Sequence, residues 1–279
     1  MTDLDLPGRA EVLVQARTEN FPVASRVLAG PARAHLLAIY GFARLVDDVG
    51  DEAPGDRTAL LDHLDGELDR IFAGAEPEHP LMRSLATTVR ACGMPEGPLR
   101  RLVEANRVDQ EVARYQTFDD LLGYCRLSAA PVGELVLWAY GLATPERVAQ
   151  SDRVCAALQV IEHVQDVGED RRRGRVYLPA EDLAAAGCED GDLWAASASE
   201  PLRAVLRLQT DRARELLGAG APLVRSLHGR ARLAVSGFVA GGRATLAAIE
   251  RAGHDVLGAH PRRSRRGMTA ALARTVVGR

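Results

Sequence analysis

Residues 158–170 read LQVIEHVQDVGED, and this stretch indicates what kind of helix the chain builds. Gln159, Glu162, Asp166 and Asp170 are spaced i, i+3, i+7 and i+11, so they share one face of an α-helix. The intervening positions are mostly aliphatic, which predicts a helix buried around most of its circumference. Three carboxylates on one face of a buried helix repel one another and need a neutralising partner.

A matching acidic stretch, DDVGDE, lies about 120 residues earlier at 47–52. Tyr40, Arg44, Asp47 and Asp51 form one narrow polar stripe. The neighbouring positions predict a second buried helix, since they are apolar: Leu36, Leu37, Ile39, Phe42, Leu45, Val46 and Val49. Two such acidic faces pointing at each other would enclose several divalent cations. Oxygen-only ligands favour Mg²⁺, which completes its shell with water and phosphate, so the pair indicates a diphosphate substrate.

An ordinary network of ion pairs is the alternative interpretation of these charges. Arg44 is placed to pair with Asp47 or Asp48, and the run 171–173 to pair with Glu169 and Asp170. For one acidic motif alone this alternative is favoured. Two matched motifs on apolar helices favour the metal site instead.

Composition indicates one helical domain over residues 1–279. The chain is 47% hydrophobic and 4% aromatic, and all of its 35 basic residues are Arg. A net charge of −3 gives no general attraction to nucleic acid. The four cysteines are dispersed, without the spacing of a zinc or redox motif. We expect neither a signal peptide nor a membrane span, and hence a cytoplasmic protein.

Apolar residues recur at intervals of three and four almost throughout, which predicts an all-α architecture. One helix is expected to bend at 131–133, where Pro and Gly interrupt it. The predicted helices are 31–50, 57–72, 76–92, 95–116, 118–140, 145–170, 203–217 and 222–252.

Several motifs resemble the squalene/phytoene synthase family. They are AIYGFAR (38–44) leading into Asp47 and Asp48, LQ (158–159) leading into DVGED (166–170), and GRVYLP (174–179). The resemblance covers about residues 15 to 255 and implies an isoprenoid-synthase-type helical bundle around a deep central cavity. Within the family, the chain is most similar to the bacterial hydroxysqualene synthase branch. That finer similarity lies in ENFPVAS (19–25), in 47–52, and in the segment from Tyr124 to Gly133.

The resemblance implies a role for individual residues. The implied Mg²⁺ ligands are Asp47, Asp48, Asp51, Glu162, Asp166 and Asp170. The implied catalytic residues are Tyr40, Arg44, Tyr124 and Gln159. The implied substrate-binding residues are Asn20, Phe21, Arg44, Asp109, Arg175 and Tyr177.

Two positions depart from the family pattern. Glu162 stands where the family usually has a metal-binding Asn, which adds charge and reach. Ala130 stands where the branch commonly has Asn. Two further residues are interpreted conservatively: His163 as a packing or surface residue rather than a ligand, and Trp194 as a core residue.

The implied activity is Mg²⁺-dependent ionisation of presqualene diphosphate, followed by capture of water to give hydroxysqualene. One alternative is head-to-head condensation of prenyl diphosphates to presqualene diphosphate, squalene or phytoene. A second is a non-catalytic scaffold. The basic tail, 261–279, is suited to contact with an anionic membrane surface, so a peripheral position at the inner face of the cell membrane is an additional expectation. A disordered tail is the alternative interpretation.

Overall fold

This computed structural model describes residues 31–259 and Thr275. Between Pro31 and Ala259 the chain forms thirteen α-helices, and the 3₁₀-helix Asp190–Trp194 lies between α9 and α10. In chain order, α1 to α13 are Pro31–Asp51, Arg57–Phe72, Pro80–Cys92, Glu96–Glu111, Phe118–Ser128, Ala130–Ala139, Pro145–Gln165, Val167–Arg172, Ala180–Ala185, Glu200–Gly220, Pro222–Ser226, Gly229–Arg251 and Val256–Ala259.

The all-α prediction is confirmed. Across residues 31–259 there is no β-strand, and only an isolated parallel bridge joins Arg114 to Val176. The predicted deep central cavity stays a prediction. Asn20, Phe21 and the basic tail, apart from Thr275, lie outside the described residues.

Side-chain caps determine where several helices begin. The Asp56 carboxylate accepts a hydrogen bond from the Ala59 amide at 3.0 Å, which satisfies a donor in the first turn of α2. At the start of α5, the Thr117 hydroxyl accepts from the Asp120 amide, and the Asp120 carboxylate accepts from the Thr117 amide. This capping box satisfies two amides that the helix itself leaves without partners.

Three of the predicted helices are divided in the structure, and one of them, 145–170, is broken between Gln165 and Val167. The predicted helix 118–140 is interrupted at Ala129, two residues before the predicted bend. Pro131 therefore falls in the first turn of α6, where its missing N–H costs no helical hydrogen bond. The predicted helix 222–252 is interrupted because His228 adopts an extended backbone, with φ −131° and ψ 163°.

The chain divides into two compact units. The first comprises the described residues through Glu111 together with Pro131–Val148, and the second comprises Val112–Ala130 and the described residues from Ala149 onward. The prediction of a single domain stays a prediction.

In the first unit α1 packs against α2, α3 and α4. The predicted apolar positions of α1 supply this packing, since Phe42, Leu45, Val46 and Val49 are fully buried and Leu37 is partly open. In the second unit, the aliphatic side chains of α7 are buried as predicted, among them Val160, Ile161 and Val164. Both acidic stretches therefore lie on helices whose other faces belong to a core.

One helix of the described region, α12, is long and apolar enough to span a membrane by length and composition. However, 67% of its apolar window is buried inside the protein. Its apolar residues are thus already used in packing, as in any core helix.

We predict that Gly220→Ala destabilises the second unit. A Cβ at Gly220 would lie 2.9 Å from the backbone oxygen of Gln150 and would also overlap Val154, so α7 has to move. Overpacking of this kind costs about 1–3 kcal/mol in free energy of unfolding. Gly218→Ala is the matched control, because Gly218 lies on the same helix and a Cβ there would meet no atom within 4 Å. It should be neutral or stabilising by about 0.5–1 kcal/mol. Equal unfolding midpoints for the two variants would contradict this packing.

A second prediction concerns the pH dependence of stability at Asp255. Burial raises the pKa of this carboxyl, but donors from Ala198, Ser197, Gly258 and Arg203 outweigh it and lower the pKa to about 2. A lowered pKa contributes stability above the unfolded value, and that stability is lost as pH falls toward 2. Asp255→Asn should therefore lower the melting temperature at pH 7, and the deficit should shrink between about pH 4 and pH 2. A deficit that stays constant over this range would refute the assignment.

Candidate active site

The first acidic cluster lies in the last turns of α1. Asp48 is buried and forms a salt bridge with Arg44, in which Arg44 Nε lies 2.7 Å from Asp48 Oδ1. Asp51 is exposed, and Asp47 also keeps exposed surface although protein surrounds its carboxyl group. Part of the ion-pair alternative is therefore realised, because Arg44 neutralises Asp48. The roles predicted for Asp48 as a metal ligand and for Arg44 as a diphosphate ligand stay predictions.

Asp47 is in a different electrostatic state from its neighbour. Removal of water by the surrounding protein raises the pKa of this carboxyl to about 7. A hydrogen bond from Asn106 and the charge of Arg44 oppose the rise, while the carboxylates of Asp51 and Asp48 add to it. A carboxylate with a raised pKa favours binding of a cation, because a cation, like a proton, offsets the cost of a negative charge that has lost water.

The second acidic cluster spans the junction of α7 and α8. The sequence predicted one helix through Asp170, but α7 ends at Gln165 and Asp166 adopts φ −101° and ψ 12°. Helical hydrogen bonds nevertheless continue across the junction, from the Asp166 amide to the Glu162 carbonyl at 2.9 Å and from the Asp170 amide to the Asp166 carbonyl at 2.8 Å. The predicted alignment of Glu162, Asp166 and Asp170 is therefore kept despite the break.

These carboxylates repel one another in a partly desolvated setting. Burial raises the pKa of Asp170 to about 7, with further increases from Asp166, Glu169 and Glu162. Burial also raises the pKa of Asp166, and the charge of Glu169 adds to it. Both clusters thus carry the unfavourable negative charge that the sequence predicted.

The donor chemistry of both clusters fits Mg²⁺. Within residues 31–259, no group of three or more His, Cys, Asp or Glu side chains is already gathered closely enough to hold a metal ion. Mg²⁺ does not require such a cage, because it is commonly held by one or two carboxylates together with waters and substrate phosphates. Carboxylates with raised pKa values and no nitrogen or sulfur donors suit it. The six predicted metal ligands stay predictions.

Four aromatic rings form a cluster next to the second acidic cluster. The rings of Tyr115, Tyr124 and Tyr177 lie 5.4–5.8 Å apart between centroids. The imidazole of His163 stacks on Tyr177, with centroids 3.8 Å apart and an interplanar angle of 12°. Burial lowers the pKa of His163 to about 3, so this ring is neutral at physiological pH. Its position agrees with the packing role expected from the sequence.

The chain returns to this cluster through the GRVYLP motif. Gly174 has φ +83°, a conformation that favours glycine, and the Arg175 amide donates to the Asp170 carbonyl at 2.9 Å. The Val176 amide then donates to the Ala113 carbonyl at 2.8 Å. This turn brings Tyr177 onto His163, which explains why GRVYLP follows the second acidic motif so closely.

The other predicted site residues occupy varied positions. Gln159 is held by Ser128, with Oγ to Oε1 at 2.8 Å, and the Ser128 hydroxyl also lies 3.0 Å from the Tyr124 carbonyl. Tyr40 and Asp109 are half-buried, on α1 and α4. The functional roles assigned to these residues stay predictions.

Three features near the clusters were not predicted. Asn106 donates a hydrogen bond to the Asp47 carboxylate at 3.3 Å. The hydrophobic periodicity of the sequence did not predict that this polar residue is buried. The sequence suggested that Trp194 is a core residue, but its side chain is 57% exposed, so that prediction was wrong. The Arg171 guanidinium covers its ring at 4.6 Å and also pairs with Asp190 at 2.9 Å.

A pocket of about 340 Å³ opens beside the second acidic cluster, within the second unit. It combines carboxylates with an apolar wall, and it is lined by Gln165, Asp166, Gly168, Glu169, Arg172, Leu193, Trp194, Ala195, Val256 and Leu257.

Known proteins are similar to this chain over most of its length. The squalene/phytoene synthase family matches residues 14–268. A hydroxysqualene synthase from Sinorhizobium fredii is 38% identical over 213 residues, which cover 75% of this chain and 71% of that protein. A phytoene synthase from Arthrospira platensis is 31% identical over 253 residues, covering 85% of this chain and 82% of that protein.

A solved structure gives the same result for the fold. The crystal structure of squalene synthase HpnC from Alicyclobacillus acidocaldarius has a TM-score of 0.82 and 42% sequence identity, covering 87% of this chain and 92% of that chain. The chain therefore belongs to the squalene/phytoene synthase family and is a terpenoid synthase that uses prenyl diphosphates.

Proposed function

We propose that the chain converts presqualene diphosphate and water into hydroxysqualene and diphosphate in the presence of Mg²⁺. The observation that carries this proposal is the 38% identity to hydroxysqualene synthases, over a region that includes most of this chain. The two clusters of repelling carboxylates support it, because a diphosphate accompanied by Mg²⁺ would neutralise them.

The reaction balances without a redox partner. The C–O bond to diphosphate breaks and the leaving group takes the electron pair, so the carbon skeleton becomes a cation. After rearrangement, a water oxygen forms the new C–O bond and one proton is released. Bound Mg²⁺ supplies positive charge to the departing diphosphate.

The chain's own residues are proposed to divide this work. In the first unit Asp47 and Asp51, and in the second unit Asp166 and Asp170, would hold Mg²⁺ through carboxylate oxygens. The aromatic cluster offers π faces that stabilise a cation without attacking it. Its buried rings also keep water away from the cation before rearrangement is complete.

Head-to-head condensation of prenyl diphosphates is the second candidate. The 31% identity to a phytoene synthase supports it. The two activities share the ionisation step and differ in what attacks the cation. The 38% identity to hydroxysqualene synthases argues against the scaffold hypothesis, in which the chain would be a non-catalytic member of the family. A cytoplasmic location with peripheral membrane contact stays a prediction.

We predict that the purified chain, given Mg²⁺ and presqualene diphosphate, releases hydroxysqualene that can be extracted and identified by mass spectrometry. Omission of Mg²⁺ should abolish the product, because the diphosphate then departs without charge stabilisation. Farnesyl diphosphate is tested in parallel. Product from farnesyl diphosphate alone would replace the first proposal with the condensation reaction, and no turnover of either substrate would refute both.

Asp166→Asn should lower turnover by at least about a hundredfold, because an amide cannot replace the charge of a metal-binding carboxylate. Its unfolding midpoint should be unchanged or higher, since the substitution removes repulsion from Asp170. Glu169→Gln is the charge-matched control, because Glu169 is exposed and pairs with Arg173 at 3.1 Å. It should keep turnover within a few-fold of the unmodified enzyme. Full activity in Asp166→Asn would refute the assignment of this carboxylate.

A further inference from the structure

A buried amide lies directly beside the first acidic cluster. Asn106 on α4 is 6% exposed, and its Nδ2 donates to Asp47 Oδ1 at 3.3 Å and to the Leu102 carbonyl at 3.2 Å. Both amide hydrogens therefore have acceptors. If the amide were turned over, its oxygen would face two other oxygens, so the network itself determines which end points at Asp47.

The space for this amide exists because residue 50 is glycine. A Cβ at Gly50 would lie 2.9 Å from Asn106 Cγ and closer still to Oδ1. Gly50 has no positive φ that would call for glycine, so close approach of the amide is the reason for its missing side chain. Gly50 and Asn106 are therefore fitted to each other across the α1–α4 contact.

The backbone around this contact is held in place on the same side. Gln110 Nε2 lies 2.9 Å from the Gly50 carbonyl and 3.0 Å from the Asn106 carbonyl, so it joins the two helices. Arg57 also donates to the Gly50 carbonyl, at 3.2 Å. The backbone carbonyls of Gly50 and Asn106 are thus tied together beside the hydrogen bond from Asn106 to Asp47.

We propose that Asn106 is a positioning residue for Asp47, and that Gly50 is glycine in order to admit its amide. The proposal rests on the function proposed above, in which Asp47 binds Mg²⁺ with diphosphate. Asn106 fixes one oxygen of the carboxylate by a hydrogen bond and so limits the orientations available to Asp47. Groups that orient a metal ligand from behind typically change metal affinity by about 10- to 100-fold when they are removed.

The test compares Asn106→Ala, Gly50→Ala and the double variant Gly50→Ala/Asn106→Ala with the unmodified protein. Asn106→Ala removes the hydrogen bond and leaves a gap, while Gly50→Ala forces the amide out of its place. In the double variant the new Cβ occupies space vacated by the amide, and the contact that remains, 3.1 Å to the Cβ of residue 106, requires only a small shift of the helices. Most of the packing is therefore restored without the hydrogen bond. Each protein is measured for its melting temperature and, by calorimetry, for Mg²⁺ affinity in the presence of inorganic pyrophosphate.

The expected result separates packing from positioning. The double variant should be more stable than the sum of the single changes predicts, because the two sites are in contact. Its Mg²⁺ affinity should nevertheless stay about tenfold or more below that of the unmodified protein. In steady-state assays the Mg²⁺ concentration for half-maximal rate should rise by a similar factor.

Two outcomes overturn the proposal and are distinguishable. If the double variant regains both stability and Mg²⁺ affinity, Asn106 serves packing alone, while the proposed function stands. If the unmodified protein binds no Mg²⁺ with pyrophosphate, the proposed function fails and the role of Asn106 fails with it.

Discussion

Repulsion among carboxylates on otherwise apolar helices is the constraint on which the candidate site depends. The core requires α1 and α7 to be buried on most faces, as Phe42 and Val160 show. The surrounding protein displaces water from the carboxyl groups of Asp47 and Asp170, and the pKa of each is raised to about 7. A charge arrangement that is unfavourable for the isolated protein is favourable for a protein whose ligand brings cations.

The two clusters manage this repulsion differently. In the first, Arg44 neutralises Asp48 and Asn106 supports Asp47, so part of the negative charge is satisfied within the protein. In the second, the charge of Arg173 lowers the pKa of Asp170, but the three carboxylates of Asp166, Glu169 and Glu162 raise it, and the neighbouring His163 is neutral. The second cluster is therefore the one that gains more from an added cation.

The aromatic cluster adds a second constraint to the site in the second unit. Stacking of His163 on Tyr177 depends on a neutral imidazole and on the turn at Gly174. The same turn ties Arg175 to the Asp170 carbonyl through the backbone. Acidic and aromatic groups are thus parts of one local structure, in which moving either group would disturb the other.

The sequence by itself determined the all-α architecture, the burial of the aliphatic positions of α1 and α7, and the family, because these depend on periodicity and local motifs. It also placed Glu162, Asp166 and Asp170 on one face, even though the helix breaks at Asp166. Only the tertiary structure decided that Trp194 is exposed beneath Arg171 and that Asn106 supports Asp47. The physical reason is that hydrogen bonds between side chains 59 residues apart depend on how helices pack. Hydrophobic periodicity of 3.6 residues indicates which face of a helix is buried, but it does not indicate which distant side chain that face will contact.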